Sequence, residues 1–103
     1  MIFRRRFADV IGRQLDLFVR EHRGLIEDCV AAERAYDHAD RDEAEERYGD
    51  YVDLVETGTE ILADIRDTYA RTLDEDTAEE YEAAFNRAVV KRLPRFAPEI
   101  ENR

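Results

Sequence analysis

"YDHADRDEAEE", residues 36–46, sets six carboxylates and a histidine within eleven positions. Its neighbours on both sides decide how it is read. Upstream, Ile11, Leu15, Phe18, His22, Leu25, Cys29, Ala32 and Tyr36 alternate in steps of four and three. Downstream, Ala44, Tyr48, Tyr51, Val55, Gly58, Leu62, Ile65, Tyr69 and Thr72 do the same. Each series is a heptad seam, the mark of helices packed at a shallow angle. Extending the first seam through the acidic stretch calls for Ala39, Glu43 and Glu46, whereas the second uses Ala44 and Tyr48. The two are out of phase, so a turn near residue 39 separates two antiparallel helices. Asp40 followed by Glu43 also has capping-box spacing, with acids suited to a helix N-terminus.

A third helix follows. Thr77 as N-cap and Glu80 three residues on form a second capping box, and Tyr81, Ala84, Phe85, Ala88, Val89 and Leu93 supply an apolar face that Pro94 ends. The expected fold is an all-α, up-down-up three-helix bundle. Its long helices span about 4–37 and 41–73, and its short one about 78–93. Residues 1–93 form a single helical domain and 94–103 an extended tail. The short helix reaches only the base, which leaves residues 27–56 as a slim hairpin arm. Gly58, on the seam near His22, is expected to make room for the imidazole.

Composition narrows the function. With 103 residues the chain has room for one modest core. Its formal charge of −10 argues against nucleic-acid binding, which needs cations to neutralise phosphate. Lys91 is the only lysine, and arginine-rich acidity fits a salt-adapted source. No apolar run of membrane-spanning length occurs, and "MIFRRRFADV" lacks the apolar stretch of a secretory signal. With a lone cysteine, Cys29, ruling out an internal disulfide, the cytoplasm is the expected compartment. Arg4, Arg5 and Arg6 are expected to face the acidic turn Asp74, Glu75 and Asp76 rather than a membrane.

Catalytic chemistry finds little support. There is no serine and no glycine-rich phosphate loop, and Cys29 has no evident base. Counted from Asp40 or Asp37, the acidic stretch puts Glu45 or Asp42 where a calcium loop needs glycine, and a tyrosine where it needs glutamate. Val19 and Ala35 stand where a carboxylate-bridged metal site needs glutamates before His22 and His38. No metal or other cofactor is expected within one chain.

The expectation is therefore a non-enzymatic protein that assembles with itself, first as a homodimer. Ala32, Tyr36, Tyr48, Tyr51 and Val52 would make the contact, with Ala35 and Gly49 permitting close approach. One alternative uses the acidic tip, Asp40, Asp42 and Glu43, to insert into a basic channel of a protein partner or to present Mg²⁺. A second is a metal site shared between chains around Glu21, His22 and Asp28.

Overall fold

The computed structural model describes residues 6–103, and every regular element among them is helical. Helix α1 spans Ala8–Glu21, α2 Arg23–Asp37, α3 Arg41–Ala70 and α4 Glu75–Arg92. The molecule is elongated, 51 × 23 × 23 Å. No helix is long and apolar enough to cross a membrane.

Four helices replace the expected three because the first long segment bends at His22. The His22 backbone leaves the helical region (φ −118°, ψ 31°). The hydrogen-bond ladder nevertheless continues across the bend, since the His22 amide donates to the Phe18 carbonyl at 2.9 Å and the His22 carbonyl accepts from Ile26 at 3.1 Å. Gly24, a poor helix former with open space where its side chain would be, weakens the helix at this point. The bend divides the packing: α2 runs along α3, while α1 leans onto α4. A groove of about 550 Å³ is left between α1 and α3, lined by Gln14, Ile61, Ile65 and Tyr69.

The other boundaries shift by a turn. α3 stops at Ala70 rather than 73, because Thr72 and Leu73 donate to Tyr69 and Ala70 in three-residue turns, each at 3.0 Å. α4 starts three residues early. Asp74, not Thr77, is its N-cap, accepting from the Thr77 amide and hydroxyl at 2.9 Å each. Arg6 pairs with Glu80 at 3.0 Å on the first turns of α4, close enough to the acidic turn to add its charge to the Thr77 hydrogen bonds that lower the Asp74 pKa. Arg4 and Arg5 lie outside the described residues.

The tail is not extended. Pro94–Phe96 and Ile100–Asn102 form two 3-10 turns that return to the bundle and bury Phe96 and Ile100. Phe96 meets Phe18 edge-on, ring centroids 5.7 Å apart, and fills the space beside Gly58 that was expected for His22. Arg66 of α3, only 4 % exposed, clamps the chain end. Its guanidinium donates to the carbonyls of Ile100 (2.8 Å) and Arg103 (2.9 Å), the Asn86 side chain (3.0 Å) and the Asp67 carboxylate (2.8 Å). A buried cation persists when its donors are satisfied in this way. Around these contacts lie the core residues Ile11, Leu15, Phe18, Cys29, Leu62, Tyr81, Phe85 and Val89.

Candidate protein-protein interface

The tail also decides how much of the α2–α3 hairpin is left uncovered. Arg95 bridges both helices: it donates to the Tyr51 hydroxyl at 2.9 Å, lies 5.6 Å over that ring, and reaches the Glu33 carboxylate at 3.3 Å. The ion pair and hydrogen bond to Glu33 hold the guanidinium protonated more firmly than usual, against the burial that opposes its charge. Beyond Glu33 and Tyr51, every residue from 34 to 50 is exposed except the half-buried Ala39 and Ala44. The bare arm is therefore 34–50, shorter than the expected 27–56.

Within the arm Tyr36 and Tyr48 pack on each other across the hairpin, ring centroids 5.3 Å apart. They remain 39 % and 52 % exposed. Ala35 and Gly49 are exposed beside them, and a Cβ at Gly49 would meet nothing within 4 Å. Ala32, Tyr51 and Val52 are half-buried nearer the base. The rings thus form one small aromatic patch at the end of the arm. Tyr51 is separated from it in role, because its hydroxyl and ring are engaged by Arg95.

The acidic tip is open. Asp40 has the extended backbone of an N-cap, and its carbonyl accepts from Glu43 at 2.9 Å, yet its carboxylate makes no capping bond. Asp42 is exposed, and Glu43 lies 3.7 Å from Arg47 one turn on. His38 closes α2, its Nδ1–H donating to the Arg34 carbonyl at 2.8 Å, a direction required because the carbonyl only accepts.

The groups suggested for a metal site shared between chains differ in exposure. His22 is half-buried against Phe18, ring centroids 5.3 Å apart, while Glu21 and Asp28 are exposed. Cys29 is fully buried, and burial pushes its thiol pKa up despite the nearby Arg95 charge. Among the described residues no three His, Cys, Asp or Glu side chains gather as metal ligands would. The residues that sequence reasoning missed are Arg66 and Arg95. Their signal was faint: Arg66 sits beside Ile65 without belonging to the second seam, and Arg95 follows Lys91 and Arg92 past the helix stop. No protein-family model, curated protein or solved structure matches the chain.

Proposed function

We propose that this is a non-enzymatic helical protein whose work is protein-protein assembly, carried out first by self-association through the arm. The observation that carries this reading is the exposed Tyr36–Tyr48 pair on a two-helix projection that no other segment covers among the described residues. Tyrosine offers large contact area at low entropic cost, and exposed aromatic pairs are typical anchors of an interface. Gly49 and Ala35 beside the rings allow a second backbone to approach closely. Light scattering coupled to size exclusion, at micromolar concentration in low and high salt, tests it. A dimer is expected, and a monomer under both conditions rejects the proposal.

The acidic tip favours a second reading. Asp40 and Asp42 make no ion pair or side-chain bond among the described residues, so their full charge is available to a basic partner. On this reading, neutralising Asp40, Asp42 and Glu43 abolishes capture of that partner while the helical content stays unchanged. Retained capture would reject it.

A further inference from the structure

The α1–α4 side of the base carries a groove of about 480 Å³. Its apolar lining reaches the surface at Ala8 and Gly12 of α1 and at Ala84 and Ala88 of α4, Ile11 and Leu15 themselves being buried, and its rim is cationic, made by Arg87, Lys91 and Arg92. No carboxylate lines it, in a chain whose net charge is −10. Arg92 is already held by Asp16 at 2.8 Å. Arg87 and Lys91 are exposed and have no ion-pair partner among the described residues. A surface of this kind selects an acidic segment carrying an apolar anchor.

The arm has that chemistry. Between residues 34 and 50 it exposes seven acids (Asp37, Asp40, Asp42, Glu43, Glu45, Glu46, Asp50) against three arginines (Arg34, Arg41, Arg47). Asp37 adjoins Tyr36, and Glu45 stands one helical turn before Tyr48, so carboxylates flank the ring pair. Two arms laid on each other would bring like charges together. An arm laid in the groove brings opposite charges together and covers the rings on Ala8, Ala84 and Ala88.

We infer that the arm of one copy docks in the α1–α4 groove of a second copy, rather than on the second arm. This rests on the self-association proposed above and specifies its surface. Length permits closure. Leu15 and Asp37 are 22 residues apart, about 33 Å along helices, so groove and arm occupy opposite ends of the molecule. Two antiparallel copies then make the same contact twice and complete a closed, two-fold dimer.

Sedimentation equilibrium on the full chain and two charge-reversed variants, Arg87→Glu/Lys91→Glu and Asp37→Lys/Glu45→Lys, tests the inference. All four positions are exposed, so circular dichroism should show both variants folded. Each variant alone is expected to raise the dimer dissociation constant by at least about tenfold. An equimolar mixture should restore dimerisation, because each groove then meets an arm of opposite charge. A general net-charge effect would act otherwise, since one variant is more acidic than the parent and the other less. Unchanged dimerisation in both variants overturns the groove contact and leaves self-association standing. A monomeric parent chain overturns both.

Discussion

The ring of Phe96 occupies the space that Gly58 leaves empty on α3: a Cβ there would stand 2.9 Å from the ring Cδ1 and Cζ atoms, and closer still to Cε1. Phe96 is buried, so the ring has nowhere to yield. The Gly58→Ala variant should therefore lose stability, with overpacking costing about 1–3 kcal/mol and outweighing the helix-propensity gain of up to about 1 kcal/mol. Gly24→Ala has open space, lies outside the proposed contact and should gain about 0.5–1 kcal/mol. Urea denaturation of the two variants measures the contrast. Equal effects would mean that Phe96 does not seat against Gly58.

Arg66 makes the tail part of the fold. Arg66→Met keeps the aliphatic stem but removes the guanidinium from the buried Ile100 carbonyl, leaving it only the long 3.4 Å bond from the Arg103 amide. A loss of about 3 kcal/mol is expected, since charge-assisted bonds to buried groups are strong and their removal leaves a buried acceptor poorly satisfied. Amide exchange should accelerate at Phe96, Ala97 and Ile100 well before it does in α3. Uniform acceleration along the whole chain would contradict a local clamp.

The hairpin was legible in the sequence because it rests on phase. Two heptad seams that cannot be joined across residues 36–46 require a turn, and α2 ends at Asp37 while α3 begins at Arg41. The bend at His22 escaped the same logic because it leaves the seam in step, so that only Gly24 marked it. Phe96 and Ile100 were illegible for a different reason. Pro94 and Pro98 break any helical period around them, and their burial depends on a cleft built by Gly58 and Arg66 some 30 to 40 positions away. The candidate tyrosines were readable as residues on the seam. The Arg95 bridge that divides Tyr51 from Tyr48 is a tertiary contact with no local pattern.

Tyr81 gives the fold an alkaline limit. It is fully buried, and burial pushes its phenol up to about 12, while the hydroxyl donates to Gln14 at 2.8 Å. The folded value lies above the unfolded value of 10, so its contribution is complete below pH 10 and is lost as pH rises toward 12. In an ultraviolet titration of the five tyrosines, one should ionise late and together with unfolding. Five equivalent tyrosines would contradict its burial.

Asp74 gives a limit at the other end. Hydrogen bonds from the Thr77 amide and hydroxyl hold its carboxyl below the ordinary 3.8. Its contribution is present above that ordinary value and disappears as pH falls through the depressed one. Asp74→Ala should lower Tm at neutral pH, and the gap from the parent should close in strong acid. A gap independent of pH would assign the effect to helix propensity rather than to the cap.

Tyr36 and Tyr48 separate folding from assembly. Replacing both with alanine removes one exposed aromatic pair, which should cost the folded chain roughly 1 kcal/mol. The same change should raise the dimer dissociation constant by about tenfold or more, as expected when interface anchors are removed. Calorimetry and sedimentation on one sample read the two effects. Lost stability with unaltered association would remove the rings from the interface.

The most direct test of the account is the mass of the parent chain in solution, measured by light scattering coupled to size exclusion at about 0.15 M and at about 2 M salt. The account predicts twice the chain mass at the lower salt. The species should persist at high salt to the extent that the tyrosines, rather than the charges, hold it. A single-chain mass at both salts would contradict it, leaving the arm bare in solution.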